Sequence, residues 1–389
     1  MKNIFTACVL CTLFCSSSAQ AVSEISIKAE RVEHPQADVQ KLAIKLNFKK
    51  ADAHKKADAQ LSVSSTVRQK SDKDWAKFNL NCELHHQQAA IQCADGLLKS
   101  ERLNVPFSID FPHFYPARMA DVDAFLRVRN ASFSDEAGLH AAEKLSGSLA
   151  VSMKKSAGAW LWHTALDWQT GEMFWQPFYI ANGGHQLTAD GKLADGLLTV
   201  DRAHVSVKDT GELNASGVMR LSDFKLLSLD ASLPNLNLNA AYPMFFKPML
   251  DKTAFADAEV SGAAALRVEF TNAEPKLVEL SLKDVNIADK NGKFAFYKIN
   301  ASIPWSYDEA KAVSFGYESG ELLNLPLGRT SIQAQLDRYS LTAPAIRLPI
   351  LDGAFDLANV SAARRDGQWY WHLSARLEPI AMEDFSSHL

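Results

Sequence analysis

Leu227-Ser228-Leu229-Asp230-Ala231-Ser232-Leu233 and, further along, Val278-Glu279-Leu280-Ser281-Leu282-Lys283 are the stretches that decide how this chain folds. In both, apolar and polar residues alternate. Successive side chains on a strand point to opposite faces, so the leucines, Ala231 and Val278 gather on one side and the serines and charged residues on the other. Many such strands side by side make a sheet with one apolar and one wetted face. The reading is an all-β chain with a few short helices: an elongated, curled antiparallel sheet forming a groove, preceded by a β-rich N-terminal module. What covers the apolar face then becomes the functional question.

Working outward, turn signals recur at short intervals, among them Asn182-Gly183-Gly184, Asp190-Gly191, Asp195-Gly196, Asn291-Gly292, Asp352-Gly353 and Asp366-Gly367. Asn-Gly and Asp-Gly favour tight antiparallel hairpins because both central residues take a positive φ. Short strands are expected at Ile25–Val32, Lys41–Phe48, Ala59–Arg68, Trp75–Cys82, Ala90–Cys93 and Val105–Phe111, with His85-His86-Gln87-Gln88 as a polar turn. The last strand alternates well, with Trp369, Trp371, Leu373, Ala375 and Leu377 on one face. Helical signal is confined to two places. Ser134-Asp135-Glu136 reads as an N-cap and acidic first turn leading to Leu145, and Tyr242–Leu250 carries an apolar stripe of Met244, Phe245, Met249 and Leu250 kept short by Pro243 and Pro248. The end of the chain, Pro379 to Phe385, resembles the opening of another such segment. An aromatic hairpin, Trp160–Trp168 returning through Met173–Tyr179, holds four of the eight tryptophans.

The first 21 residues have the form of a secretory signal: Lys2, an apolar run from Ile4 to Cys15, and Ala19-Gln20-Ala21 as a small-x-small cleavage site. That run is shorter than the roughly 20 residues a membrane span needs, so a cleaved leader is preferred to a retained inner-membrane anchor. Loss of Lys2 changes the formal charge from −4 to −5, and the only basic cluster is Lys49 to Lys56, which gives no footprint for nucleic acid. Cys8, Cys11 and Cys15 leave with the leader. The remaining Cys82 and Cys93 sit in neighbouring strands of an exported chain and read as one disulfide.

Catalytic signatures are missing. There is no G-x-S-x-G, H-E-x-x-H, phosphate-binding loop or dinucleotide fingerprint, and the S-x-x-K matches at Ser152–Lys155 and Ser222–Lys225 lack the companion motifs that give them meaning. The expectation is a protein that is not an enzyme and takes no cofactor or metal: His85-His86 diverge if on a strand, Asp121 and Asp123 are too few for calcium, and Asp289-Lys290-Asn291-Gly292 is explained as a turn. Trp160, Trp162, Trp168 and Trp175 admit three readings, as core, as groove lining or as a saccharide platform.

The strands ending in Leu236 and Leu238, the Tyr242-Pro243-Met244-Phe245-Phe246-Lys247-Pro248-Met249-Leu250 segment, Val260-Ser261-Gly262-Ala263 and Ala265–Phe270 together resemble the AsmA-like superfamily, nearest its YdbH and TamB branch. Leu187-Thr188-Ala189-Asp190-Gly191 and Leu213-Asn214-Ala215-Ser216-Gly217 are similar to the strand, small residue, Gly phrases those proteins repeat. The resemblance covers roughly residues 120 to 389. It implies a periplasmic protein of the cell envelope whose β-groove shields phospholipid acyl chains between inner and outer membranes, working with an inner- or outer-membrane protein partner. Members usually keep an N-terminal anchor and are longer than this chain. About sixteen strands at ~4.8 Å make a ribbon of only ~77 Å, short of bridging an envelope alone.

The domains expected are a signal peptide at 1–21, an N-terminal β module at 22–118 with the Cys82–Cys93 disulfide, and β-groove repeats at 119–389. Lining residues are Leu227, Leu229, Leu233, Val278, Leu280, Leu282, Phe294, Phe296, Ile332, Leu336, Ile346 and Leu348. The alternative is a structural or assembly factor of the envelope, with the same strands closed into a β-sandwich that docks an outer-membrane partner. Alternation alone does not separate the two.

Overall fold

The computed structural model describes residues 23–33, 37–48, 58–69, 76–87, 90–113, 121–380 and 383. The expected leader, the basic cluster at 49–56 and most of the segment at 379–385 lie outside the described residues. The chain divides into two compact units, Met1–Tyr115 and Pro116–Leu389. Both are built of antiparallel strands, so the all-β reading holds. No helix among the described residues is long and apolar enough to cross a membrane.

The first unit is a meander in chain order: β1 (Glu24–Glu33), β2 (Ala37–Phe48), β3 (Asp58–Gln69), β4 (Ala76–Gln87), β5 (Ala90–Ser100) and β6 (Leu103–Phe111), each antiparallel to the next. Cys82 and Cys93 are disulfide-bonded with their Cα atoms 5.8 Å apart, across an interruption in the β4–β5 ladder. Among the described residues Cys93 is the largest side chain that is fully buried. His85 and His86 are not in a turn but extend β4, opposite Gln92 and Ile91.

The second unit comprises β7 (Asp121–Ser134), β8 (His140–Ser156), β9 (Ala159–Trp175), β10 (Phe178–Ile180), β11 (His185–Ala194), β12 (Leu197–Val207), β13 (Gly211–Arg220), β14 (Lys225–Asn237), β15 (Ala258–Thr271), β16 (Glu274–Asp289), β17 (Phe294–Ser306), β18 (Lys311–Tyr317), β19 (Ser319–Leu322), β20 (Leu325–Leu327), β21 (Thr330–Asp337), β22 (Ser340–Ile350), β23 (Gly353–Arg365) and β24 (Gln368–Leu377). Nearly every strand pairs with its neighbour in sequence within one sheet. The exceptions are instructive. β10 and β11 share the same side of β9, and β18 and β19 share the same side of β17, so each pair is one strand with a break in it.

Those breaks belong to a crease that runs from strand to strand. The register steps between Val128 and Ala131, Glu143 and Ser146, Leu233 and Leu236, Ser261 and Ala263, and Leu282 and Val285. At these steps stand the left-handed residues Asn130 (φ 55), Lys144 (φ 53), Gly171 (φ 102), Gly262 (φ 108), Asp284 (φ 49) and Lys298 (φ 53). Each bulge bends its strand and leaves a backbone group unpaired. Neighbouring side chains satisfy them: Ser146 Oγ accepts from Asn130 N–H at 2.8 Å, Asn300 Oδ1 from Asp284 N–H at 3.1 Å, and Asn286 Oδ1 from Lys298 N–H at 2.9 Å. The bulges also abut, since a Cβ on Gly262 would lie 2.7 Å from the Asp284 carbonyl oxygen.

β12 and β13 stop at the crease, in the turn at 208–210. Beyond it their place between β10 and β15 is taken by a helical stretch, a short α-turn at Leu238–Ala241, a wider π-turn at Tyr242–Phe246 and a final turn at Lys247–Leu250. Asn237 opens it, its side chain accepting from Asn239 N–H at 3.1 Å. Leu238, Ala241 and Tyr242 are buried, whereas Met249 of the expected stripe is 65% exposed. The helical expectation at 134–145 is corrected. Ser134 ends β7, His140 opens β8, and between them Asp135 accepts from Leu139 N–H at 2.7 Å and meets His140 Nδ1 at 2.6 Å. Burial would raise the Asp135 carboxyl, but the His140 and Leu139 hydrogen bonds outweigh it and hold it below its usual range. A side chain with the look of a helix start instead ties a hairpin turn.

Candidate functional site

Residues directly opposite each other across a ladder share a face of the sheet, which lets the apolar side be followed strand by strand. One row runs Leu126, Leu149, Leu166, Leu187, Val205 and Leu213 from β7 to β13. A second runs Thr164, Ala189, Ala203, Ala215, Ala231, Val268, Val278 and Trp305 from β9 to β17. A third joins Leu233, Leu266, Leu280 and Ile303, and a fourth Ala264, Leu282, Ala301, Phe315 and Ile332. On the reverse side the equivalent rows are Arg127, Ser148, Asp167, Gln186, Ser206 and Glu212, and then Asn214, Ser232, Arg267 and Glu279.

The crease closes toward the apolar side. Of the residues beside it, Ala131, Ala264, Val285, Ile299, Ala301 and Tyr317 are buried, and Val285, Ile299, Ala264, Tyr317 and Leu238 form the core cluster, with Leu282 and Phe296 packed against it. Alanines and the larger Val285, Ile299 and Tyr317 fill the bend, and a second set of buried side chains, Ala343, Ala354, Val360 and Ala362, lies on β22 and β23. All the expected lining residues, from Leu227 to Leu348, are half-buried: none is sealed and none stands fully in water. Two packed sheets would seal side chains of this size. Within this unit the strands form a single sheet.

Individual positions differ from the alternation. Leu227 falls in a bulge where the β13–β14 register steps, so Leu226 is the residue opposite Met219. Phe294 and Phe296 lie on the far flank, against Leu322 and Gly320. Ile346 and Leu348 sit beyond Ala345, where the burial pattern of β22 shifts from odd residues (Leu341, Ala343) to even ones. Asn359, left-handed at φ 51, lies opposite this point, at the step in the β23–β24 register between Ala358 and Ser361.

The aromatic stretch is one strand, not a hairpin, because Gly171 lets β9 bend and continue. Trp160, Trp162 and Trp168 lie in the apolar rows opposite Leu193, Gly191 and His185, and a Cβ on Gly191 would meet the Trp162 ring at 2.9 Å. Trp175 is past the crease, 51% exposed and in tilted contact with the His140 ring, centroids 4.2 Å apart. The four rings are thus split between two flanks and do not make one platform.

The reverse face is a field of exposed ion pairs: Arg267 with Asp230 (3.2 Å) and Glu269 (2.6 Å), and Arg202 with Asp190 (3.2 Å). The Asp230 hydrogen bond raises the Arg267 guanidinium further above its usual value. A shallow hollow of about 480 Å³ on this face is lined by Asp190, Asp201, His204, Asn214 and Asp230. Its floor is dominated by polar side chains. Ser152 and Lys155 are on β8 opposite His163 and Trp160, hence on opposite faces, and cannot act together. No group of three or more His, Cys, Asp or Glu side chains placed to hold a metal ion occurs among the described residues. No protein-family profile and no curated protein matches this chain.

Proposed function

We propose that this protein binds lipid acyl chains in the creased apolar trough of residues 121–380 and shields them during transfer through the periplasm. One observation carries the reading: aligned rows of half-buried Leu, Val, Ala and aromatic side chains on one face of a single sheet, with charged rows on the other. A bare apolar surface of that extent is unfavourable in water at roughly 25 cal/mol per Å². Hydrocarbon is the natural cover. The AsmA-like resemblance, the signal-type residues 1–21 and the Cys82–Cys93 disulfide support an exported, envelope location. A palmitoyl-length chain gains about 0.8 kcal/mol per buried CH₂, so release into water is slow while displacement along uniform rows changes little.

The test is to purify the chain from cells, extract it and analyse the extract for lipid. Bound phospholipid, together with uptake of a fluorescent phospholipid and quenching of the trough tryptophans by brominated acyl chains, is the expected result. A lipid-free preparation that takes up none, and instead retains one envelope protein, would replace this reading with the docking alternative.

A further inference from the structure

At one rim of the trough, Tyr307 continues β17 just past Trp305 and Ser306. Its ring is flanked by two cations, Lys276 Nζ of β16 at 4.1 Å from the ring centre and Arg338 of the β21–β22 turn, its Cζ at 4.4 Å. Arg338 is locked in place. Its Nε donates to the Tyr307 carbonyl at 2.6 Å, and its own carbonyl accepts from Trp305 Nε1 at 2.6 Å. Its backbone is left-handed at φ 47, a conformation a branched or long side chain adopts only at a cost. These contacts use the Nε edge and the face of the guanidinium. The two Nη groups remain, a pair of donors of the geometry that suits two oxygens of a phosphate.

Among the described residues no carboxylate lies within ion-pair distance of Arg338. Lys276 has only Glu274, at 3.3 Å and 70% exposed, an ion pair of the kind that contributes little and yields readily to a better anion. The other acids nearby are Asp337, Asp308 and Glu309, the last held by Lys311 at 2.7 Å. Trp305 belongs to the apolar row opposite Val278. Hydrocarbon on that row would end at the two cations.

We infer that Arg338 and Lys276, both against the Tyr307 ring, form a phosphate-ester site at the trough rim, which holds the headgroup of a phospholipid whose acyl chains lie over Trp305 and Val278. The inference rests on the proposed trough. It adds to it a fixed point for one end of the lipid. The phosphate oxygens accept from Arg338 Nη1 and Nη2 and from Lys276 Nζ, displacing Glu274.

Binding of three probes to the full chain separates the outcomes: a short-chain phosphatidylglycerol, a diacylglycerol of the same chain length, and inorganic phosphate. The expected result is that the double substitution Lys276→Gln with Arg338→Gln weakens phosphatidylglycerol binding 30- to 100-fold and leaves diacylglycerol binding within twofold. Arg338→Lys recovers part of the loss, and Glu274→Gln, which frees Lys276, tightens phosphatidylglycerol binding several-fold. Inorganic phosphate bound as tightly as the lipid, and lost in the same variant, assigns the site to free phosphate. Diacylglycerol bound by the wild type with phosphatidylglycerol unaffected by the double substitution sinks the headgroup site while the trough stands. No binding of either lipid, with phosphate still bound, does the reverse. A thermal melt of each variant within a few degrees of the wild type keeps these comparisons about binding.

Discussion

Leu280→Glu separates an open trough from a sealed core more sharply than any other single change. Leu280 lies between Leu266 and Ile303 in an apolar row and is half-buried. Full burial of a leucine is worth about 1.5–3 kcal/mol, so its partial burial contributes about 1 kcal/mol to folding. In an empty trough the glutamate carboxylate reaches water, and the loss of stability stays near that figure, a Tm shift of ~2–4 °C for a unit of this size. In a filled trough the same carboxylate faces hydrocarbon. It must be covered without a hydrogen-bond partner, or it must hold the acyl chain away, at about 3 kcal/mol, which is ~100-fold in affinity. Thermal unfolding and titration with a fluorescent phospholipid, run on the same preparation, give both numbers. Ser281→Glu is the control, since Ser281 is exposed on the charged side opposite Ala265 and Ser302. A Leu280→Glu chain that fails to fold places Leu280 in a closed core, and one that folds and binds as before moves the acyl chain elsewhere. Either result refutes the reasoning.

The same geometry has other measurable consequences. Gly262→Ala should cost about 2–4 kcal/mol, read as a lower Tm, because the position is left-handed and its Cβ would press on the Asp284 carbonyl oxygen. Reducing the Cys82–Cys93 bond, or Cys82→Ser with Cys93→Ser, should destabilise the first unit by about 3 kcal/mol in denaturant titration and leave phospholipid uptake by the second unit in place. Arg347 joins Glu378 at 2.6 Å and Asp356 at 3.1 Å, and its hydrogen bond to Glu378 holds that carboxyl below its ordinary 4.5. A carboxyl depressed in the folded state stabilises it fully above pH 4.5 and loses that contribution as pH falls through the lowered value. Hydrogen-exchange protection at β24, taken relative to the intrinsic rate at each pH, should accordingly fall below pH 4.5, and Glu378→Gln should remove that dependence.

How much of this is legible in the chain depends on where the backbone keeps its period. Leu229–Leu233 and Val278–Leu282 alternate cleanly, and the rows they predict are present. The crease is not legible. Four of its left-handed residues are Asn130, Lys144, Asp284 and Lys298, types that mostly adopt ordinary backbone angles, and only Gly171 and Gly262 carry a visible signal. Each bulge inserts one residue and swaps the face of the residues after it, which is why Leu227 and Leu226 exchange roles. The hairpin at 134–140 is hidden for a related reason. Ser134-Asp135-Glu136 has the composition of a helix start, but an aspartate can satisfy the backbone of a turn equally well, and the strands on either side decide. The cation pair on Tyr307 joins residues from separate strands and turns and has no local pattern.

The crease also bears on why a single sheet suits the proposed acyl-chain binding where two packed sheets would not. A sandwich hides its apolar rows by pressing a second layer on them, and the space between is then set by interdigitated side chains. Bending one sheet along a line of bulges buries residues next to the bend, here Ala131, Ala264, Ala301, Val285, Ile299 and Tyr317. The rest of each row stays accessible along its length. Because adjacent strands repeat at about 4.8 Å, an acyl chain lying across them meets Leu149, Leu166, Leu187 and Val205 in turn with little change of surroundings. The barrier to sliding is then small compared with the cost of leaving. A lipid held at one end by Arg338 and Lys276 departs from that uniformity, so the rim is where movement along the trough would pause.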